Sequence, residues 1–174
     1  ASIEHDTGYF TDTLNEMMEA KIDEGINVLV LTGGAKSWSE RLYTREGDKV
    51  SPDKYNQVWK LTGTTDSTEH GYMTLLEEKG IDGVNHISME DPKMLKAFMN
   101  YAAEKYPAKT YDMILVDHGM VPARGYCDDD VVKRTDGKSA LSVAEMISAI
   151  SESKIEHFDF INFHCCLMGN IEVL

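Results

Sequence analysis

Two apolar segments of the sequence lead directly into residue types that take part in acyl-transfer chemistry. The segment 113–117 leads into His118, and the segment 158–164 leads into Cys165 and Cys166. Apolar runs of this length predict buried strands. Because the active sites of open parallel sheets lie at the carboxyl ends of the strands, two adjacent strands here would place an imidazole beside a thiol. That pair of groups is what a cysteine hydrolase requires.

A thiol and an imidazole that lie together can carry out nucleophilic catalysis at a carbonyl carbon. The thiolate is the attacking species, and His118 could take up the thiol proton and later protonate the leaving amine. A helix that begins just after Cys166 would favour the thiolate through its dipole. Gly119 has no side chain, so a substrate carbonyl could approach its backbone N–H, which would stabilise the developing oxyanion.

The same residues also have interpretations without catalysis. A cysteine at a strand end is commonly an inert core thiol, and a neighbouring histidine is commonly a hydrogen-bonded buried side chain. A disulfide between Cys165 and Cys166 would be strained. Because adjacent side chains of an extended strand point to opposite faces, only one of the two cysteines is expected to face His118. The other is expected in the core.

Length, charge and cysteine content limit the class of protein. The chain has 174 residues, of which 42% are apolar. This length and composition predict a single domain over residues 1–174 with a sizeable core. The net charge of -13 argues against nucleic acid or an anionic membrane surface as the main partner. No apolar run approaches the roughly 20 residues of a membrane span. The three cysteines have no disulfide-framework or zinc-ligand spacing, so no metal site is predicted from them.

The first half of the sequence predicts a helix, a strand and a small antiparallel hairpin. Thr13 and Glu16 form a capping-box pattern that begins the helix, which runs to about residue 24 before Gly25. The β-branched and leucine run at 27–32 predicts a fully buried strand. Alternating polar and apolar residues predict a half-exposed hairpin. Its strands are expected near 41–45 and 55–61, and loops are expected at 1–10 and 62–72.

The second half alternates helices with strands. The clearest helix begins with Asp91 as N-cap and Pro92 at the first helical position. Ser142 and Glu145 form a second capping-box pattern. Alternating buried strands and helices predict an α/β sandwich around a mostly parallel sheet. The predicted segments are a strand at 112–117, an acidic loop at 120–138, a helix to about 150, a strand at 157–164 and a helix that starts at 171–174.

The segment 158–169, which reads Phe-Asp-Phe-Ile-Asn-Phe-His-Cys-Cys-Leu-Met-Gly, resembles the clostripain family of cysteine peptidases. That family typically has Phe-Asp-x-Ile-x-Phe-Asp-Ala-Cys-Leu-Met around its nucleophile, so Cys166 occupies the position of the nucleophile and Cys165 that of the alanine. The segment 117–119 matches the family's Asp-His-Gly after an apolar strand. Further matches extend the resemblance over most of the chain, at 27–34 with Trp38, at 89–92 with Leu95, and at 171–173.

The resemblance implies a caspase-like three-layer α/β/α sandwich, with the antiparallel hairpin as an insertion. It also implies an endopeptidase that works through an acyl-enzyme, with Cys166 as nucleophile, His118 as general acid and base, and the Gly119 N–H as oxyanion donor. In caspases the histidine lies about 50 residues before the cysteine, and the separation here is similar. The resemblance further implies that 1–174 lacks the first core strand and the C-terminal part of the enzyme, which would be its partner.

One departure from the family pattern bears on specificity. The family has an Asp two residues before its nucleophile, where this chain has His164. In well-known members that Asp helps to form a pocket for Arg or Lys, so a basic P1 preference is not expected to carry over. A hydrogen-bonding or smaller polar P1 residue is one alternative, and loss of activity is another. His164 and Asp117 are predicted to shape the substrate pocket or to orient their neighbours.

A second departure motivates a rival function. The family usually has several glycines after the histidine, whereas Gly119 here is followed by Met-Val-Pro at 120–122. Together with His164, this change motivates a second hypothesis, a catalytically silent clostripain-like domain that binds peptide or protein. A cysteine-dependent hydrolase of other acyl groups on the same fold is a third hypothesis.

The acidic loop between the histidine and the cysteine carries two further predictions. Many family members are cleaved there after a basic residue, so Lys133, Arg134 and Lys138 are predicted processing sites, the alternative being ordinary solvated charges. Some members need calcium, which the aspartates at 128–130 could bind, although they lack EF-hand spacing and a solvated loop is the preferred interpretation. No organic cofactor is implied. The resemblance implies a secreted or cell-surface bacterial enzyme that acts on peptide or protein substrates.

Overall fold

The structure is a computed structural model that describes residues 2–50, 55–65, 69–81, 83–120, 124–169 and 173. The chain divides into two compact units, residues 2–86 and residues 87–174, and the single-domain organisation stays a prediction. The mixture of helices and strands agrees with the predicted α/β class. The elements are α1 (Ser2–Thr7), α2 (Tyr9–Glu19), β1 (Val28–Thr32), β2 (Gln57–Thr62), β3 (Tyr72–Glu77), α3 (Pro92–Lys105), β4 (Asp112–Val116), α4 (Val143–Ser151) and β5 (Phe160–His164).

Residues 2–7 and 9–10 are helical instead of forming the loop predicted at 1–10. Gly8, with a φ of 71°, separates α1 from α2. The buried carboxylate of Glu4 accepts a hydrogen bond of 2.9 Å from the backbone N–H of Thr11, so α1 caps the first turn of α2. The predicted capping box of Thr13 and Glu16 is wrong, because both residues lie inside α2. The helix also ends before the predicted boundary near residue 24.

The unit 2–86 is built on a three-stranded antiparallel sheet in the order β1–β2–β3. The central strand β2 is the most buried, and its residues Trp59 and Leu61 pack with Leu14 and Met18 of α2 in the core. The indole N–H of Trp59 donates a hydrogen bond of 3.0 Å to the hydroxyl of Thr32 in β1. This sheet therefore buries one large aromatic side chain and gives its polar atom a partner.

Two predictions for this antiparallel sheet are corrected by the strand pairing. The predicted full burial of β1 is wrong, because β1 is an edge strand and most of it is only half-buried. The hairpin lies further along the chain than predicted. Its strands are β2 and β3, and β3 begins at Tyr72, the last residue of the predicted loop at 62–72. Among the described residues, the strand-like pairing of segment 41–45 with the sheet is one bridge between Thr44 and Met73.

The unit 87–174 contains the parallel pair that the sequence predicts. Strand β4 pairs with β5 in parallel, and the pairing ends with Val116 opposite His164. One face of the pair lies on the core of this unit, where Met113 and Leu115 are buried. The predicted full burial is wrong for the other face, where Ile114 is 51% exposed. The strands alternate because, among the described residues, they form a two-stranded sheet.

Both predicted helix caps of this unit are confirmed. The carboxylate of Asp91 accepts a hydrogen bond of 2.9 Å from the N–H of Lys93 at the start of α3. Ser142 and Glu145 form a reciprocal capping box at the start of α4. The predicted helix at 171–174 lies almost wholly outside the described residues. Within the part of the chain that the structure describes, no helix is long and apolar enough to cross a membrane.

Candidate active site

The ends of β4 and β5 bring the histidine and cysteine segments into backbone contact. His118 and Cys166 each follow by two residues the last paired positions of their strands. The thiol of Cys166 lies 3.5 Å from the carbonyl oxygen of Gly119. A Cβ atom on Gly119 would lie 1.9 Å from the carbonyl oxygen of Cys166, so only glycine fits at this position. The predicted meeting of the two strand ends is therefore confirmed.

The three cysteines differ in exposure. Cys166 is exposed, Cys165 is half-buried and Cys127 is buried. Burial, and then the neighbouring Cys166 and Asp117, raise the pKa of Cys165 to about 11, so Cys165 remains a thiol at neutral pH. That Cys166 faces His118 stays a prediction, but the predicted packing of the other cysteine on the core agrees with the position of Cys165. The reason differs from the predicted one, because both residues lie in a turn that follows β5 rather than in the strand.

The turn after β5 contains an unusual backbone conformation. Leu167 has a φ of 63°, which non-glycine residues seldom adopt, and its side chain is 60% exposed. Met168, by contrast, is buried in the core of this unit. The turn therefore projects Leu167 into solvent beside Cys166 and anchors the chain through Met168.

Asp117 supports the backbone around His118. Its buried carboxylate accepts hydrogen bonds from the N–H of His118, at 2.7 Å, and from the N–H of Asp128, at 3.1 Å. Burial, with the Asp117 charge and a hydrogen bond to it, raises the pKa of the Cys127 thiol well above its usual value. Of the two predicted roles of Asp117, the structure favours that of orienting its neighbours, because the carboxylate is committed to these groups.

Gly119 lies in a short ladder that positions its peptide groups. It is bridged to Tyr126, and the flanking bonds run from Cys127 N to His118 O, at 3.1 Å, and from Met120 N to Gly125 O, at 3.0 Å. In this antiparallel pattern Gly119 and Tyr126 form a non-hydrogen-bonded pair, whose polar groups point away from each other. The polar groups of Gly119 are thus directed away from Tyr126, and its carbonyl oxygen lies near the thiol of Cys166. The donor role of Gly119 stays a prediction.

His164 is the last residue of β5 and is exposed. It lies opposite Val116 and two residues before Cys166, so it is at the same strand ends as the other predicted site residues. Its role in a substrate pocket stays a prediction. Positions 121 and 122 of the altered glycine run lie outside the described residues.

The acidic loop is buried at Asp129, where solvated charges were predicted. Asp129 is 0% exposed, and its carboxylate accepts hydrogen bonds of 2.7–2.8 Å from the N–H groups of Met89, Val131 and Val132. A carboxylate that is used in this way does not fit a calcium site at 128–130. Among the described residues, no group of three or more His, Cys, Asp or Glu side chains is arranged to hold a metal ion.

Glu90 is a polar residue of this region that was not among the predicted site residues. It is 0% exposed, and its Oε1 atom accepts a hydrogen bond of 2.9 Å from the N–H of Asp129. Burial raises its pKa above the ordinary value of 4.5. Its Oε2 atom is buried and has no hydrogen-bond partner in the part of the chain that the structure describes. The only sequence signal was that 89–92 matches the clostripain family.

The three predicted processing residues differ in accessibility. The side chain of Arg134 is 4% exposed and contacts Asp136 and Glu145, whereas the side chains of Lys133 and Lys138 are 68% and 61% exposed. A P1 side chain must enter the pocket of a protease, so the structure disfavours Arg134 as a processing site. The expectation of an ordinary solvated charge is also wrong for Arg134.

Comparison with solved structures supports this architecture. An X-ray structure of a secreted C11 cysteine protease from Bacteroides thetaiotaomicron, in complex with an irreversible peptide inhibitor, matches 95% of this chain with a TM-score of 0.60. The sequence identity is 18%, and the match covers 39% of that chain. This likeness confirms the predicted caspase-like α/β fold.

Comparison of sequences identifies the family. Clostripain of Hathewaya histolytica is 30% identical to this chain in an alignment of 95 residues that covers 49% of this chain and 18% of that protein. The chain therefore corresponds to well under half the length of each of these relatives. The model of the clostripain family matches residues 4–174. Because this match covers nearly the whole sequence, the chain belongs to the clostripain family of cysteine peptidases.

Proposed function

We propose that this chain carries the catalytic centre of a cysteine endopeptidase, with Cys166 as nucleophile and His118 as general acid and base. The observation that carries the proposal is the parallel pairing of β4 with β5, which leads both residues out of the same end of one sheet. The exposure of Cys166 supports it, because Cys165 and Cys127 are less accessible and have raised pKa values. Membership of a family of cysteine peptidases gives the reaction class.

The proposed reaction has two halves. In the first, His118 takes the thiol proton, the Cys166 sulfur forms a bond to the substrate carbonyl carbon, and the peptide C–N bond breaks as His118 protonates the leaving amine. In the second, His118 removes a proton from water, and the resulting hydroxide displaces the thiolate from the acyl-enzyme. The Gly119 N–H donates to the oxyanion in both halves. The reaction needs no organic cofactor, and no step is assigned to calcium.

Asp117 has a supporting part in this proposal. It holds the backbone N–H of His118 at 2.7 Å and links that residue to the loop at Asp128. A general base must be held within hydrogen-bond reach of the proton that it transfers. Asp117 therefore fixes the backbone from which the imidazole projects, and it does so without contacting the substrate.

Cleavage of a P1-varied fluorogenic peptide library by the full-length protein tests the proposal. The library is assayed under reducing conditions with the wild type, Cys166→Ala and Cys165→Ala. We expect cleavage by the wild type and by Cys165→Ala, and none by Cys166→Ala, because only the exposed thiol is the nucleophile. Cys165→Ala is the matched control, since it removes a neighbouring thiol from the same turn.

The alternative function makes the opposite prediction for the same proteins. A silent peptide-binding domain would cleave nothing, and its Cys166 would also resist an acyloxymethyl ketone probe. That pair of results would reject the peptidase proposal. Assays with and without a calcium chelator show whether the full-length enzyme needs calcium, which on the structure is not expected to bind at 128–130.

The site of self-processing belongs to the same proposal. We propose that self-processing cuts the loop after Lys133 or Lys138, because the side chains of both residues are more than half exposed. Sequencing of the new N-terminus after incubation of the purified protein tests this.

We also propose that the chain belongs to a secreted bacterial protein, which is supported by the relative described as secreted. Fractionation of the producing cells tests the location.

A further inference from the structure

We infer that Glu90 and Asp129 are positioning residues that set the place of His118 through the backbone of the loop after β4. The inference rests on the proposed function, because it assigns these residues a task in the same reaction. It concerns two carboxylates that are fully buried and lie outside the strand ends. Neither is a predicted catalytic residue.

The two carboxylates join distant segments by a reciprocal pair of hydrogen bonds. Glu90 Oε1 accepts from the N–H of Asp129 at 2.9 Å, and Asp129 Oδ2 accepts from the N–H of Met89 at 2.8 Å. Asp129 Oδ1 also accepts from the two N–H groups at 131 and 132. This arrangement, called here the carboxylate clamp, ties the segment before α3 to the loop after β4 and fixes the backbone on both sides of Asp129.

The clamp is next to the groups that hold His118. The residue before Asp129 is Asp128, whose N–H donates to the carboxylate of Asp117 at 3.1 Å. The same carboxylate accepts from the N–H of His118 at 2.7 Å. The residue before Asp128 is Cys127, whose N–H donates to the carbonyl oxygen of His118 at 3.1 Å. Both backbone polar groups of His118 are thus connected to a three-residue segment that ends in the clamp.

The clamp has an anchor on its other side. The N–H of Glu90 donates to the hydroxyl of Ser88 at 3.1 Å, and Ser88 is 2% exposed. The guanidinium of Arg134 donates to the carbonyl oxygen of Glu90 at 3.0 Å. Glu90 is therefore fixed by its own backbone just before the N-cap of α3. It can transmit the position of that helix to the loop.

Burial of Glu90 carries an energetic cost that a purely structural residue would avoid. One of its carboxylate oxygens is buried with no hydrogen-bond partner among the described residues, and burial raises the pKa of the carboxyl. An apolar side chain would remove that cost. It would also leave the buried N–H of Asp129 without its acceptor and release the segment 127–129. The hydrogen bond to the loop is the feature that the carboxylate supplies.

The inference predicts different results for a variant that keeps the acceptor and one that removes it. Glu90→Gln keeps a carbonyl oxygen that can accept from Asp129, whereas Glu90→Leu removes the acceptor and keeps a similar volume. We expect kcat of Glu90→Leu to fall by about 10- to 100-fold with little change in KM, since a small displacement of a reacting group costs this much. Glu90→Gln should recover most of the lost kcat.

The control for a merely structural effect is Met99→Ala. Met99 is a buried core residue of α3 in the same unit and takes part in none of the hydrogen bonds of the clamp, so its truncation lowers stability while those bonds remain. At a temperature where all variants are folded, we expect its kcat to match the wild type. The pH dependence of Cys166 alkylation should also be unchanged in Met99→Ala. In Glu90→Leu, the pH at which the rate of Cys166 alkylation has its inflection should move towards the value found for His118→Ala.

Amide hydrogen exchange of the full-length protein completes the experiment. If the clamp positions His118, Glu90→Leu should raise exchange at residues 118, 127 and 128 at least about tenfold more than Met99→Ala does. Equal kcat losses in Glu90→Leu and Met99→Ala, or a loss in Glu90→Gln as large as that in Glu90→Leu, would overturn the inference. A wild type without Cys166-dependent cleavage would instead reject the proposed function. The exchange data would then still decide whether the clamp fixes the backbone of His118.

Discussion

Replacement of Arg134 by Met tests whether this residue is a structural tie of the loop or a processing site. Its guanidinium donates two hydrogen bonds to Glu145, at 2.8 and 3.0 Å, and two to Asp136, at 2.6 and 3.0 Å. It also donates to the carbonyl oxygens of Glu90 and Ala140. With 4% of its side chain exposed, Arg134 resembles a member of a buried ion pair.

The expected cost of Arg134→Met follows from this geometry. Removal of one member of a buried pair typically costs about 3–5 kcal/mol of unfolding free energy. The lower end applies, since Glu145 keeps Lys138 at 2.8 Å and the capping box with Ser142. Asp136 is 45% exposed and can return to water. We therefore expect a loss of about 3 kcal/mol, measured by urea unfolding of the full-length protein monitored through the unit 87–174.

A double-mutant cycle identifies the source of that loss. Arg134→Met, Glu145→Gln and the double variant should show a coupling free energy of about 2 kcal/mol, which is within the range for residues in direct contact. Lys138→Met is the matched control, because its side chain is 61% exposed and also contacts Glu145. It should cost less than about 1 kcal/mol. A cost for Arg134→Met below about 0.5 kcal/mol would refute the reasoning.

The pH dependence of this loss has a definite sign. The hydrogen bond from Arg134, followed by contacts of Lys138 and Ser142, holds the pKa of Glu145 well below its ordinary value of 4.5. A lowered pKa in the folded state contributes stability that is present above pH 4.5 and is lost as the pH falls below it. Arg134→Met should therefore flatten the acid limb of the stability curve, measured by urea unfolding at a series of pH values.

Three further predictions concern the strand ends. Gly119→Ala should lower peptide cleavage by about 100-fold, because a Cβ atom there would lie 1.9 Å from the Cys166 carbonyl oxygen; unchanged kcat/KM would contradict the observed packing. His164→Asp should increase cleavage after Arg and Lys relative to other P1 residues, and an unaltered P1 profile would remove His164 from the pocket. In the native protein at neutral pH, iodoacetamide should modify Cys166 before Cys165 or Cys127, because the pKa values of the latter two thiols are raised. Peptide mass mapping measures the labelling, and equal labelling of the three cysteines would contradict the prediction.

Local sequence signals predicted the elements around the site well. The N-cap at Asp91, the capping box of Ser142 with Glu145, and the strands at 112–116 and 160–164 all lie where the pattern indicated. Each depends on residues that are close together in the sequence, because caps and strand periodicity are short-range effects. Adjacency of the two strand ends followed from one general rule about parallel sheets.

The features that the sequence did not reveal depend on distant partners. Asp129 resembles its neighbours Asp128 and Asp130 in sequence, yet it is buried because Met89 and two loop residues supply N–H donors. The donor Met89 is 40 residues away. The pairing of β1 with β2, rather than with a parallel neighbour, likewise joins residues about 30 positions apart. Composition and periodicity do not specify such long-range partners.

The parallel pairing of β4 with β5 also has a consequence for biosynthesis. Parallel strands need a long crossover, and contacts between residues far apart in sequence form late because the intervening chain must first be ordered. His118 leaves the ribosome well before Cys166, and the thiol reaches its place only when the crossover with α4 has folded. The nascent chain thus presents His118 before the strand that carries Cys166 to the same sheet edge is in place. Under the proposed function, a chain in which β5 has not yet paired with β4 therefore has no assembled nucleophile and base.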